Sequence, residues 1–240
     1  MIMTSILDSL LQIAILTPFL FLAIRKNKGN SLTPLLYAVI IYLLITILVD
    51  RLSSVTLFKG QQFNWVGKGA ALLVEGTLAF SIPGFTRKTF GLAKIEWAGT
   101  TPILAVCAIY FFIRLSLYYF SGSIAPEIHT EQFLFQATLP GLQEELLFRG
   151  ILLGLLTRVF QRPMWTIWKL RFGWAALITS ILFGLSHGIG FNEDHTIHFN
   201  TFSFFRTAFD GLLFAVLAEK TKSIFPGVIY HNLLNLIGNH

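Results

Sequence analysis

Apolar residues in this chain neither alternate nor form narrow stripes. They gather in long blocks separated by short polar segments. A helix needs about 20 apolar residues to cross the hydrocarbon core of a bilayer. Blocks of that kind recur near 5–24, 32–49, 66–82, 100–120, 140–157, 172–190, 203–219 and 224–239. The pattern predicts an all-α, polytopic membrane helix bundle of about eight transmembrane helices, forming one integral membrane domain over 1–240. No basic residue precedes the first block and "RKNK" follows it, so it is expected to be retained as a helix, unlike a cleaved signal peptide. The segment 121–139, "SGSIAPEIHTEQFLFQATL", turns from polar to mixed and is expected to lie along the membrane interface. Pro140 is placed for the first turn of the fifth helix, where its missing N–H costs nothing. There is no tandem repeat, heptad run or low-complexity stretch.

Composition agrees with a lipid solvent. Hydrophobic residues make up 54% of the chain, charged residues 12%, and the mean hydropathy is +0.68. Soluble domains are about a quarter charged. The formal charge is +6, yet Lys and Arg form no single patch or arm, which argues against nucleic acid as a partner. The cations fall between the apolar blocks instead. Arg25, Lys26, Lys28, Arg87, Lys88, Lys94, Arg158, Arg162, Lys169, Arg171, Lys220 and Lys222 follow blocks one, three, five and seven. Only Arg51 and Lys59 follow the even blocks, on the side that also carries Asp50, Glu127, Glu131, Glu193 and Asp194. The excess of positive charge on cytoplasmic loops then predicts both termini outside.

Charge inside a span costs several kcal/mol and marks a function or a partner by default. The fifth block holds "LPGLQEELLFRGILLGLL". Glu145 and Arg149 are four residues apart, so they can pair along one helix face. Glu144 points about 100° away and is left for other work. The sixth block brings His187 in "ILFGLSHGIG", and the eighth brings His231 and Asn235 in "FPGVIYHNLLNLIGNH". Each alone is as well explained by polar glue between helices. Together they supply a free carboxylate, two imidazoles and an amide from three helices. Such a set can activate water and face a developing oxyanion, as hydrolysis of an amide requires. There is no Ser-His-Asp set, GxSxG elbow or HExxH helix, and Cys107 has neither a disulfide mate nor an evident base. No cofactor is demanded by these residues, but Glu144, His187 and His231 are acceptable zinc ligands, and a divalent metal there stays open.

The other polar groups receive structural assignments. Arg206 is expected to pair with Asp210, and Glu75 with Arg114. His195, His198, His129 and His240 are expected in solvent, a loose metal site at the first two being the lesser alternative. Gly150 with Gly154 and Gly184 with Gly188 form two GxxxG pairs, which would let the fifth and sixth helices approach closely.

"EELLFRG" fits EExxxR, "FGLSH" fits FxxxH and "HNLLN" fits HxxxN, in that order over 140–235. In these motifs the chain resembles the CPBP family of intramembrane proteases, also called Abi or type II CAAX endopeptidases. The resemblance implies an eight-helix membrane protease, often classed as a metalloendopeptidase, although a metal-free glutamate mechanism is also held for it. By motif position it implies that Glu144 and His187 activate water and that His231 and Asn235 stabilise the oxyanion. Glu145, Arg149 and Phe183 would complete the motifs. The expected partners are membrane lipids and a peptide or protein substrate, lipid-modified in the CAAX-trimming relatives, with the bacterial cell membrane as location. Bacterial relatives also include immunity and regulatory proteins, so a non-catalytic scaffold of the same fold is the alternative function. CAAX-trimming relatives act on cytoplasmic substrates, whereas the charge pattern puts Glu144 and His187 nearer the outer face.

Overall fold

The computed structural model describes residues 2–27, 29–82, 86–122, 129–161, 164–167, 170–192 and 194–238. Helices α1 (Ile2–Lys26), α2 (Thr33–Arg51), α3 (Trp65–Ser81) and α4 (Thr101–Phe120) come first. A short helix α5 (Thr130–Gln136) precedes a continuous helical run in three seven-residue pieces. These are α6 (Leu139–Glu145), a π-helical stretch (Leu146–Leu152) and α7 (Leu153–Val159). Then follow α8 (Trp174–Gly188), α9 (Thr201–Thr221) and α10 (Phe225–Gly238). Each apolar block thus contains a helix, and Pro140 sits in the first turn of α6 as its geometry favours. Lys28, Glu127, Arg162, Lys169, Glu193 and His240 lie outside the described residues, as does the side chain of Arg171.

Among the described residues four helices are long and apolar enough to cross a membrane: Ser5–Lys26 within α1, and all of α2, α4 and α9. The blocks at 172–190 and 224–239 yield helices of only 15 and 14 residues. The ends of the sixth block turn into strands instead. β1 (Met164–Ile167) pairs antiparallel with β2 (Leu170–Gly173) just before α8, and β3 (Ile189–Phe191) pairs with β4 (Ile197–Phe199) just after it. A short helix is admissible here because α8 is largely buried in protein, which shields its ends from lipid.

The core is built by the run from Leu146 to Leu156, in which every residue is buried, together with α8 and α9. Around it, large apolar side chains face outward at helical spacing: Leu36, Ile40 and Leu44 on α2, Phe112 and Ile113 on α4, and Phe202, Phe205 and Phe209 on α9. A belt of that extent needs an apolar medium against it. The chain is therefore a membrane protein of the helix-bundle type.

Helix neighbours differ from expectation in two respects. The glycine pairs do not join the fifth and sixth helices. A Cβ on Gly184 or Gly188 would lie 2.7 Å from Ala208 Cβ or 2.6 Å from Phe204 Cβ, so these glycines admit α9. Gly150 and Gly154 instead admit the loop after α3, whose Phe90 and Thr89 carbonyl oxygens would lie 3.0 and 2.6 Å from an added Cβ. The expected ion pairs are also exchanged. Arg114 pairs with Asp210 at 2.9 Å, Arg206 donates to the Tyr118 hydroxyl at 3.0 Å, and Glu75 accepts from Gln143 Nε2 at 2.5 Å. The cause is packing: α4 lies on α9 and α10, while α3 lies on α6.

Candidate active site

The two adjacent glutamates of α6 serve different neighbours. Glu145 is fully buried and takes two cationic or N–H partners on one oxygen. Arg149 Nη1 lies 3.1 Å from Glu145 Oε1, the i,i+4 contact that the spacing predicts, and His231 Nδ1 donates to the same oxygen at 2.9 Å. Gly227 on α10 makes room for this carboxylate, since a Cβ there would lie 3.2 Å from Oε2. The Arg149 guanidinium is stacked over the rings of Phe183, Phe214 and Phe148, at 4.3, 5.0 and 5.5 Å. The buried cation is thus held by one carboxylate and three aromatic faces.

Glu144 turns the other way, into a cavity of about 330 Å³ lined by Glu144, His187, His231 and Asn235, with Lys68, Phe183 and Pro140 among its other walls. Its Oε1 receives the Lys68 ammonium at 2.5 Å. Its Oε2 lies 3.8 Å from His187 Nε2 and 3.8 Å from His231 Nε2, and has no hydrogen-bond partner. Too long for direct hydrogen bonds, these distances suit one small polar molecule held between the groups.

The opposite edge of each imidazole decides which nitrogen faces that point. His187 Nδ1 lies 2.9 Å from the Phe183 carbonyl, which can only accept, so Nδ1 carries the proton and Nε2 offers a lone pair. Glu145 Oε1 likewise takes the proton of His231 Nδ1, leaving Nε2 toward Glu144. Phe183 contributes its ring as well as its carbonyl, with its centroid 4.6 Å from that of His187 and 5.8 Å from that of His231. Phe214 of α9 stacks on His231 at 5.0 Å and 16°, fixing the ring plane. Asn235, one turn beyond His231, is half-buried in the cavity wall.

Other polar candidates lie apart from this cluster. His129, His195 and His198 are exposed. Cys107 is buried and its carbonyl accepts from the Tyr230 hydroxyl at 2.7 Å. Asn232, next to His231, is a structural clasp: it accepts from the Gly141 N–H at 3.0 Å and donates to the Ala137 and Thr138 carbonyls.

Three participants were missed by reasoning from sequence: Lys68, Gln143 and Phe214. Lys68 donates to Gln143 Oε1 at 2.9 Å as well as to Glu144, and Gln143 passes the contact on to Glu75. A lone lysine in the first turn of a span reads as an interfacial residue reaching for headgroups. Only the neighbouring position of α3 and α6 gives it another role.

The ligand types at Glu144, His187 and His231 suit a zinc ion, but their arrangement does not. Tetrahedral zinc with bonds near 2.0–2.1 Å spaces its ligand atoms about 3.3 Å apart. The carboxylate-to-imidazole gaps here are 3.8 Å, and an ammonium group already occupies the carboxylate. Among the described residues no group of three His, Cys, Asp or Glu has the geometry of a metal site.

Fold and cavity together define a membrane helix bundle with a buried cluster of carboxylate, imidazole and ammonium groups. Residues 126–237 match the family described as Rce1-like, the type II CAAX prenyl endopeptidases. All three motifs fall inside the match, whereas α3 and Lys68 fall outside it. No curated protein and no solved structure matches the chain.

Proposed function

We propose that the protein is an intramembrane endopeptidase that hydrolyses a peptide bond of a membrane-associated peptide or protein with water activated by Glu144 and His187. The observation that carries this is the unpartnered Oε2 of Glu144, facing Nε2 of both His187 and His231 at 3.8 Å. A water held there donates one O–H to Glu144 Oε2 and the other to His187 Nε2. As its oxygen attacks the scissile carbonyl carbon, the first proton passes to Glu144, which later returns it to the leaving amine nitrogen. The negative charge arriving on the carbonyl oxygen falls toward the wall made by His231 and Asn235. The Asn235 amide donates there directly, and His231 does so when Nε2 carries a proton. Lys68 neutralises and orients the carboxylate through Oε1 without touching substrate. Phe183 holds His187 in the required tautomer, and Glu145 orients the His231 ring through Nδ1.

The endopeptidase family of residues 126–237 supports the reaction class. The substrate would be a polypeptide reaching the cavity from the membrane, and a lipid-modified tail is compatible with that approach. For orientation, the charge pattern supports the cavity lying toward the outer face, with the basic loops in the cytoplasm of a bacterial cell. Quantitative peptidomics of membranes carrying wild-type or Glu144→Gln protein tests the whole proposal. A set of cleavage products present only with wild-type protein is expected. Identical peptide profiles, with a biological phenotype kept by the variant, would favour the non-catalytic scaffold.

A further inference from the structure

The proposed mechanism leaves unused a second cavity on the other side of Glu144. It encloses about 360 Å³ between α2, the start of α3, α6 and the end of α8. Among the described residues, Lys68, Glu144 and His187 line both this cavity and the first, so they stand at the junction of two chambers. The chambers run in different directions. The first follows α9 from Ser203 through Thr207 to Asp210 and faces Arg114 of α4, level with the outward belt of Phe202, Phe205 and Phe209. The second follows α2 to its end and reaches the exposed Ser53 in the loop beyond.

Helix α2 gives the second cavity a polar wall. Tyr42, Thr46 and Asp50 recur at four-residue intervals, so they share one face. From Tyr42 to Asp50 is about 12 Å at 1.5 Å per residue. The floor is closed, since the Tyr42 hydroxyl donates to Gln12 Oε1 at 2.5 Å and its ring meets Phe148 edge-on at 6.1 Å. The mouth is braced by Asn64, which accepts from the Gly67 N–H at 2.8 Å and donates to the Val49 carbonyl at 2.9 Å. Gly67 permits that approach, because a Cβ there would lie 2.6 Å from the Val49 oxygen. The walls are thus built by specific contacts between α2 and α3.

Hydrolysis consumes one water per turnover. A polypeptide in the first cavity displaces the water there and covers the side of Glu144 that faces His231 and Asn235. The next water must reach the junction from the other side. Lys68 closes on Glu144 at 2.5 Å, and Glu144 Oε2 lies 3.8 Å from His187 Nε2. A main chain touching both walls needs about 7 Å, so a hydrogen-bonded water fits between these groups and a peptide does not. A cavity of this size with polar walls holds several waters, where an apolar one stays dry. We infer that the second cavity is an aqueous antechamber that delivers the hydrolytic water past Asp50 and Thr46 to Glu144 and His187, while the peptide occupies the first. The inference rests on the endopeptidase reading and brings α2, outside the matched residues 126–237, into the reaction.

The test uses the full chain with Cys107→Ala in nanodiscs. Thr46→Cys puts a thiol in the cavity wall, Asp50→Cys one nearer the mouth, and Leu44→Cys one on the lipid face of the same helix, where Leu44 is 50% exposed. Charged methanethiosulfonates attack the thiolate, which forms only where water reaches the sulfur. The Thr46→Cys and Asp50→Cys thiols are expected to react at least about tenfold faster than the Leu44→Cys thiol. Attachment then plugs the cavity in a chain already folded and active. Cleavage by the Thr46→Cys chain should lose about tenfold in kcat with KM unchanged, with a cationic or an anionic reagent alike, and dithiothreitol should restore it. Asp50→Cys carries the same measurement should Thr46→Cys fold poorly. A rise in KM at constant kcat would place part of the peptide in the second cavity and overturn the proposal, as would unchanged kinetics after complete labelling. Inert thiols in a chain that cleaves would overturn the water route and leave the endopeptidase reading standing. Reactive thiols in a chain that, like wild type, cleaves nothing would overturn both.

Discussion

At the scale of single residues, the adjacent carboxylates of α6 should fail in different ways. Glu144→Gln keeps side-chain volume and an oxygen for Lys68 but removes the proposed base. Cleavage should fall at least about a hundredfold with an unchanged circular dichroism spectrum. Glu145→Ala instead leaves the buried Arg149 without its carboxylate and frees His231 Nδ1. Breaking a buried pair from one side costs about 3–5 kcal/mol. Thermal unfolding in detergent should show that loss, and Glu145→Leu combined with Arg149→Met should recover part of it. Lys68 touches Glu144 and, in the proposed mechanism, acts only through it, so Lys68→Met should lower kcat about tenfold with a smaller change in KM, and Lys68→Arg should restore some of the rate. A lysine needed only for packing would be replaced by Met without a loss in kcat. Glu144, His187, His231 and Asn235 stood out in the sequence because each is polar within an apolar helix. Lys68 did not, because a cation in the first turn of a span has an ordinary interfacial explanation.

At the scale of elements, the glycines of α8 separate positions that matter from positions that do not. Gly184→Ala would drive its Cβ to 2.7 Å from Ala208 Cβ and 2.8 Å from a backbone oxygen of α9. Overpacking of that kind costs about 1–3 kcal/mol. It should also move His187, one turn away, so thermal stability and cleavage should fall together. Gly76 lies in α3 with nothing within 4 Å of an added Cβ. Gly76→Ala should be neutral or stabilise by up to about 1 kcal/mol in the same unfolding measurement. The helices were legible because lipid demands unbroken apolar blocks. The π-helical stretch at Leu146–Leu152 was not, since a shift in hydrogen-bond register leaves no mark on hydropathy. Nor were the three- and four-residue strands flanking α8, whose pairing depends on partners across a turn.

Across the whole molecule, neighbour relations between helices were the least legible feature. A one-dimensional pattern shows that Arg114 needs an acid but not which helix brings it. The mistaken Glu75 partner follows from that, and the true partner, Asp210, from α4 lying on α9. The loops give a molecular asymmetry that can be measured. In a Cys107→Ala background, Lys59→Cys should react with a membrane-impermeant maleimide on intact cells, and Lys220→Cys only after lysis. The reverse pattern would invert the orientation and place the Glu144 cavity toward the cytoplasm.

If Glu144 and His187 act on one water as a unit, a double-mutant cycle on cleavage by the purified, reconstituted protein will reveal the coupling. Glu144→Gln and His187→Asn should each remove at least about a hundredfold of the rate, and the double variant should be no worse than either alone. Multiplying losses, or a Glu144→Gln protein that still cleaves at the wild-type rate, would contradict it.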